Sequence, residues 1–395
     1  MKRLFTLTLF LFIIGICSNV KAQLVKEVTL TSANTLAAQL GDEAAKVTTL
    51  KISGPLGEAD FKTMKESMTM LQVLDMNGVT ELPLVGSQYQ GEQLPGIPEA
   101  AFQNKQTLQH VIFPEIMQRI DDYAFEGCNN LTVVDFTNAG QLKQIRDFAF
   151  QNCSALRVLD FSSCSALEEL LGDTFSACRN LQTVSFSGCA NLRTVGESDH
   201  GNVFSVCSSL QLVDFTGCSA LTTISRYSFG ECSRLTTVKL DGCTSLSSIN
   251  SSVFSNCSKL SDFDFSKLTY LKSIGSNAFR SCSLSGDIVF ASGIKEIGES
   301  AFYNNDNITS FDFSLSGDLT VISSGTFGDC ERLTRVDFSN CSSLNTLDIG
   351  AFDNCPSLEE VRINNGFYTS IDGVLFVVDK ATSVYWLRRC VGICA

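Results

Sequence analysis

The sequence predicts a solenoid of about 11–13 stacked coils, each of 23–25 residues, with one parallel sheet along one side and short extended or turn elements on the other. Three observations carry that expectation. The first is a row of eleven phenylalanines: Phe102, Phe125, Phe150, Phe175, Phe204, Phe229, Phe254, Phe279, Phe302, Phe327 and Phe352. Seven of the ten steps between them are 25 residues, two are 23 and one is 29. A stack of coils requires such spacing, because every coil must offer the same side chain to the same slot of one shared core. The second is the apolar pattern around each ring. Leu142, Ile145, Phe150, Cys153, Leu156, Leu159, Phe161 and Cys164 recur as Leu167, Leu170, Phe175, Cys178, Leu181, Val184, Phe186 and Cys189. The third is size: 395 residues exceed what one compact core usually serves, whereas a coil array grows in one dimension.

The elements follow in chain order. Lys2 and Arg3 open a basic start, and Leu4 to Ile16 form an apolar stretch too short to span a bilayer. Val20-Lys21-Ala22 fits a cleavage site, which makes residues 1–22 a signal peptide and Gln23 the mature start. Cys17 offers a rival reading as a lipid-anchored residue, but Ile16 stands where such a signal wants a small side chain. Residues 23–92 read as an N-terminal capping region with degenerate repeats. Leu71-Gln-Val-Leu-Asp-Met76 matches Leu156-Arg-Val-Leu-Asp-Phe161 position for position, and Glu58 to Met70 has helical character. Val79 to Glu92 is expected as an exposed loop.

Residues 93–365 are the regular coils. In Leu156-Arg-Val-Leu-Asp-Phe161, Leu159 and Phe161 point inward while Val158 and Asp160 point outward, the period of a half-buried strand. A second short extended piece falls on the Leu-x-x-Ile segment, and a tight turn falls around Ala-Phe-x-x-Cys. Parallel stacking at roughly 4.8 Å per coil gives a rod on the order of 60 Å long. The 29-residue step before Phe204 places a protruding loop at Gly196 to Asn202, which contains His200.

The pattern Leu-x-x-Leu-x-Phe-x-x-Cys-x-x-Leu, as at Leu156 to Leu167, is a leucine-rich-repeat signature. With the added Ala149-Phe150-Gln151-Asn152-Cys153 element it resembles the BspA-like leucine-rich-repeat family of bacterial surface proteins over Gln93 to Asn365. The resemblance implies a leucine-rich-repeat solenoid whose Leu-x-x-Leu-x-Phe sheet is the concave, ligand-facing side. It also implies adhesion to host matrix proteins or other cells. After the last coil it implies a strand pair at Ser370 to Phe376 within a partial C-terminal module, residues 366–395. From Tyr385 to Cys390 the sequence departs from that pattern, and no sorting or anchoring domain is recognisable.

Seventeen cysteines invite a disulfide framework in an exported chain. Nine lie three residues after a repeat phenylalanine, at Cys128, Cys153, Cys178, Cys207, Cys232, Cys257, Cys282, Cys330 and Cys355. Five lie fourteen residues after one, at Cys164, Cys189, Cys218, Cys243 and Cys341. They follow the repeat and give way to Lys105, Asn305 and Leu268 in particular coils, so they read as compact buried fillers with free thiols. Cysteines arranged one per coil, with no Cys-x-x-Cys, argue against a metal site.

No catalytic constellation is visible, and no cofactor motif. Of two histidines, His110 is expected on an outward strand position and His200 in the loop, both solvated and far apart. Without Lys2, Arg3 and Lys21 the chain carries 26 basic against 42 acidic residues, which disfavours nucleic acid and anionic membranes. No later stretch is long and apolar enough to span a membrane.

Two outward columns are the candidate ligand-binding residues. One reads Asp135, Asp160, Ser185, Asp214, Lys239, Asp264, Val289, Asp312, Asp337, Arg362, and beside it run Thr137, Ser162, Ser187, Thr216, Asp241, Ser266, Ala291, Ser314 and Ser339. Aspartates stacked at about 4.8 Å repel by roughly 0.9 kcal/mol even at water-like dielectric, so such a strip suits a protein segment, a glycan or a bridging calcium ion. The same residues also suit a plainer role, keeping a sheet face wet and unable to aggregate. Lys239, between Asp214 and Asp264, is placed to offset both. The sequence thus predicts either a non-enzymatic exported scaffold for protein or glycan ligands, among them host matrix proteins, or a spacer of the envelope with no specific ligand. His200 is a further contact candidate.

Overall fold

A computed structural model of the chain describes residues 23–86, 92–196, 201–371, 374–378 and 384–389. The expected signal segment with Cys17, residues 87–91 of the expected N-terminal loop, residues 197–200 with His200, Cys390 and Cys394 lie outside the described residues. The chain winds into a parallel-sheet solenoid of about 13 turns with little helix.

Each regular coil has two strands. The Leu-x-x-Leu-x-Phe segment supplies one of about three residues, such as Val158–Asp160, with its outer residues exposed and Leu159 buried. The Leu-x-x-Ile segment supplies one of two residues, such as Gln144–Ile145. These shorter strands make the longest sheet, twelve strands from Leu84–Val85 to Thr346–Leu347. It is parallel except for the first pair, Leu84–Val85 with Leu94–Ile97.

The Leu-x-x-Leu-x-Phe face is divided into three sheets. Five strands run from Val25–Thr29 to Val133–Asp135, four from Val158–Asp160 to Thr237–Lys239, and four from Ser285–Val289 to Glu360–Arg362. The second gap falls at Asp262–Asp264, where no strand forms. Phe263 occupies the slot that Leu159 fills in the regular coil, and its ring wedges against Phe254, Phe265 and Phe279 at 5.6, 4.7 and 4.9 Å. The chain then turns through a short 3-10 helix, Phe265–Lys267.

The turn around the repeat phenylalanine forms a third ladder between coils. Phe148 N donates to Gly172 O, Phe150 N to Thr174 O and Asn152 N to Ser176 O. This needs left-handed backbone at two positions per coil, as at Phe148 (φ 59°) and Asn152 (φ 60°). Asn, which tolerates that region, recurs at Asn104, Asn256, Asn304 and Asn354.

All eleven repeat phenylalanines are buried. Their rings stack along the axis: Phe125 on Phe150 at 4.9 Å and 3°, Phe150 on Phe175 at 5.1 Å, Phe204 on Phe229 at 5.3 Å. A second column from the strand ends runs beside it, with Phe161 on Phe186 at 5.0 Å and Phe186 on Phe215 at 5.2 Å. The columns touch edge to face, as at Phe161 and Phe175 (6.0 Å, 64°). Offset stacks along each column and edge contacts between columns are the arrangements that ring quadrupoles favour. One continuous apolar cluster extends from Val28 to Tyr368.

The thiols are more than fillers. Fourteen cysteines are free, and thirteen of them are buried. Most donate to the carbonyl of a phenylalanine one coil back, as Cys153 Sγ does to Phe125 O (3.1 Å) and Cys232 Sγ to Phe204 O (3.2 Å). The second column does the same, as with Cys218 Sγ to Phe186 O. Asn305 replaces cysteine by donating Nδ2 to Phe279 O at 2.8 Å, and Lys105 by donating Nζ to Met68 O at 2.9 Å. The shared requirement is a further hydrogen-bond donor for a buried turn carbonyl, which in most coils already accepts one backbone N–H, as Phe204 O does from Cys207 N at 3.3 Å. A carbonyl oxygen has room for both, which explains how amide and ammonium groups can occupy an apolar column.

The N-terminal region continues the coil stack. Val25–Thr29, Thr49–Pro55 and Val73–Glu81 pair in parallel and join the regular sheet at His110–Ile112. The helix Glu58–Glu66 lies between the second and third of these strands, with Phe61 against Phe102 at 6.0 Å, and buried Asp60 accepts from the backbone N–H groups of Asn34, Leu36 and Gly57. The segment expected as an exposed loop from Val79 is instead partly strand, with Val79, Leu82 and Val85 buried. Alternating apolar residues there reach the core, so the coil closes earlier than the loop reading allowed. After the last coil, Tyr368–Ile371, Val374–Val378 and Val384–Arg389 form a three-stranded antiparallel sheet, one strand more than the expected pair. Among the described residues, no helix is long and apolar enough to cross a membrane.

Candidate functional site

The strand register brings the outward columns together in two blocks. Asp160, Ser185, Asp214 and Lys239 are direct neighbours in one sheet. Val289, Asp312, Asp337 and Arg362 are neighbours in the other. Asp264 belongs to neither: it stands in the strand gap and caps the helix Phe265–Lys267. Asp135 closes the N-terminal block beside Ile112.

Each of these aspartates also has a local task. Asp135 accepts from Thr137 N at 2.9 Å, Asp160 from Ser162 N at 2.9 Å, Asp214 from Thr216 N at 2.9 Å, Asp264 from Ser266 N at 3.1 Å, Asp312 from Ser314 N at 2.8 Å and Asp337 from Ser339 N at 3.0 Å. Ser185 does the same for Ser187 at 3.4 Å. The Asp-x-Ser/Thr spacing thus builds an Asx turn that ends the strand. One carboxylate oxygen is engaged in the turn, and in Asp214, Asp264 and Asp337 the other meets a cation.

Cations offset the row unevenly. Lys239 Nζ lies 3.0 Å from Asp214. Asp264 is served by Lys267 at 3.2 Å rather than by Lys239, because the strand gap separates those coils and puts a lysine three residues downstream. Arg362 approaches Asp337 at 3.5 Å. Partial burial pushes the Asp214 carboxyl up, but hydrogen bonds from Thr216 and Lys239 outweigh it and hold the group below its ordinary range. The balance at Asp337 is the same, with Ser339 and Arg362 as the stabilising partners. At Asp264 the Ser266 hydroxyl is the leading cause of a lowered value.

The strip reaches further than the sequence columns. Glu27, Lys51 and Asp75 continue the acidic column into the N-terminal region, with Thr29, Ser53 and Asn77 beside them. They line a depression of about 300 Å³, and Lys51 pairs with Glu27 at 2.8 Å. The sequence signal for Asp75 was present, since it matches Asp160 in the Leu71 to Met76 segment.

His110 is a correction. It is half-buried in register between Val73 and Val133, and its Nε2 is shielded from solvent with no hydrogen-bond partner. Burial holds its pKa below the usual 6.5, against the pull of Asp135 and Asp75. It is not a solvated side chain, because flanking strands close over an outward position when they carry valine.

Among the described residues, no group of three or more His, Cys, Asp or Glu side chains could hold a metal ion. A family model for the BspA-type leucine-rich repeat region matches residues 95–199, 199–309 and 268–381. The chain belongs to the BspA-type leucine-rich-repeat family. Repeat proteins of this family and fold are typically non-enzymatic binding scaffolds, and BspA-like members are typically found at the bacterial cell surface.

No curated protein matches the BspA-type chain. Among solved structures it is similar to a leucine-rich repeat protein from Bacteroides ovatus, with 20% identity, 72% of this chain and 82% of that one covered, and a TM-score of 0.49. It is similar also to a leucine-rich cell surface protein from Faecalibacterium prausnitzii, with 22% identity, 68% and 82% covered, and a TM-score of 0.35. The pneumococcal vaccine antigen PcpA is a third, with 17% identity, 74% and 68% covered, and a TM-score of 0.44. The family assignment rests on the repeat model, not on these likenesses.

Proposed function

We propose that this BspA-type chain is an exported scaffold that binds protein or glycan ligands at the bacterial surface through its Leu-x-x-Leu-x-Phe face, and serves adhesion. The observation that supports it is the register of the outward strip. Asp160, Ser185 and Asp214, and separately Asp312 and Asp337, stand one per coil on a rigid sheet, with Ser162, Ser187 and Thr216 beside them. A long, shallow, polar face of this kind suits a macromolecule better than a small molecule, which prefers a deep pocket. The basic start, the apolar stretch and the small-residue site before Gln23 support export.

A spacer role is favoured by a different observation: every aspartate of the strip is already engaged in an Asx turn. A binding array of host matrix proteins and glycans, probed with the chain from Gln23 onward, separates the two. The scaffold reading expects at least one ligand, with binding reduced by the double variant Asp312→Asn and Asp337→Asn at unchanged folding. An array without a hit, or a hit indifferent to that variant, favours the spacer.

A further inference from the structure

The continuous twelve-stranded sheet carries its own outward column, on the side away from the acidic strip. In register it reads Glu169, Thr194, Thr223, Ser248, Ser273, Glu296. Four hydroxyls in consecutive coils are bounded by two carboxylates. Around Ser248 and Ser273 lies a depression of about 420 Å³, lined also by Arg226, Glu296 and, one coil further, Val321 and Ser323.

Two features make this a formed trough. Its floor is backbone: a Cβ on Gly275 would fall 2.5 Å from Ser251 N, and one on Gly298 would fall 2.6 Å from Ser276 N. The coils close up there only because these residues lack side chains. Its polar groups are also ordered. Ser273 Oγ donates to Ser248 Oγ at 3.2 Å, and Ser248 Oγ donates to Asn250 Oδ1 at 2.6 Å. That chain leaves the Ser273 oxygen free to accept. Neither Arg226 nor Glu296 has an ion-pair partner among the described residues, so a strong donor and a strong acceptor face the same trough.

Arg226 is shared with a second depression of about 370 Å³ that Tyr227 lines. Tyr227 holds a left-handed backbone at φ 56°, at a corner that carries Asn202, Ser252 and Asn277 in the adjoining coils. Its ring lies over Gly230 and its hydroxyl donates to Glu231 at 3.2 Å, so Tyr227 stands outside the trough and Arg226 alone joins the two depressions.

We propose that this trough binds a neutral oligosaccharide of about two or three pyranose units laid along the solenoid axis. Sugar hydroxyls donate and accept at once, which matches alternating Arg226, Ser248, Ser273 and Glu296. One coil advances by roughly 4.8 Å, close to the length of one extended pyranose unit. A peptide strand is poorly served, because the central strands of this sheet are paired on both edges. An acidic sugar meets Glu296 and the acidic net charge of the whole chain.

Calorimetric titration of the protein with neutral trisaccharides of glucose, galactose, mannose and N-acetylglucosamine tests this. At least one is expected to bind. Its affinity should fall about ten-fold or more in Arg226→Ala and in Glu296→Gln, and remain unchanged in Asp42→Asn, an exposed residue of the N-terminal segment Gly41–Lys46. Arg226 and Glu296 are both exposed, so both variants should fold, as circular dichroism will show. The proposal is overturned if none of the four binds at millimolar concentration. It is also overturned if binding survives both substitutions, or if only acidic sugars bind and Arg226→Ala abolishes that.

Discussion

At the residue scale, Asp160 shows how one side chain can serve both the fold and a ligand. Its Oδ1 accepts from Ser162 N, and an asparagine oxygen can accept the same bond. Asp160→Asn should therefore change stability by less than about 0.5 kcal/mol, while Asp160→Ala, which loses the turn bond, should cost about 0.5–1.5 kcal/mol in urea unfolding. Equal losses for both would show that the charge rather than the turn matters. His110 gives a pH signature. Its folded-state pKa lies below 6.5, so on acidification the unfolded chain takes up the proton first. Stability present above that value is lost as pH falls through it. The lowered carboxyls of Asp214, Asp264 and Asp337 add their own loss only below about 3.8. Unfolding midpoints should thus begin to decline as the pH falls below about 6.5 in the native chain, well before the carboxyls act, and stay level over that interval in His110→Gln. A level native profile would contradict the burial of that ring.

At the scale of strands and ladders, the two strands of each coil were legible because their apolar residues keep a fixed spacing: Leu159 and Phe161 against Val158 and Asp160 need only the period of a pleat. The outward columns were legible for the same reason, once the coils are aligned. The break at Asp262–Asp264 was not, since Phe263 for leucine is an apolar exchange whose effect depends on how far the ring reaches toward Phe254 and Phe279. Neither was the trough at Ser248 and Ser273, which depends on Gly275 and Gly298 letting coils approach. The role of the thiols was hidden too, because the acceptor of Cys232 is a carbonyl 28 residues away. Only Lys105 and Asn305 hinted at it.

The thiol ladder carries two predictions. Cys232→Ala removes one of two donors to the Phe204 carbonyl, which keeps Cys207 N, and should cost about 0.5–1.5 kcal/mol, while Cys232→Ser keeps a donor and should cost less. Burial pushes the thirteen buried thiols upward, Cys178, Cys243 and Cys282 to about 12. In the unfolded chain they ionise near 9, so stability is intact below that pH and is lost as pH rises through it, by about 1.4 kcal/mol per pH unit for each thiol. Unfolding above about pH 9 should be steep, with a slope that falls as cysteines are replaced. A shallow alkaline limb would show that the thiols are already ionised or exposed.

At the scale of the whole molecule, two ring columns make one core, and each coil contacts only its neighbours. Damage to one ring should therefore stay local before it becomes global. Phe229 stacks on Phe204 at 5.3 Å and on Phe254 at 5.5 Å, with Phe215 edge-on at 6.2 Å. Hydrogen exchange of Phe229→Ala against the native chain is the most direct measurement. A cost of about 3–5 kcal/mol is expected, with protection lost first in the coils around Phe204, Phe229 and Phe254 and retained near Phe125 and Phe327. Protection unchanged everywhere, or lost evenly along the chain, would contradict a core built one ring per coil.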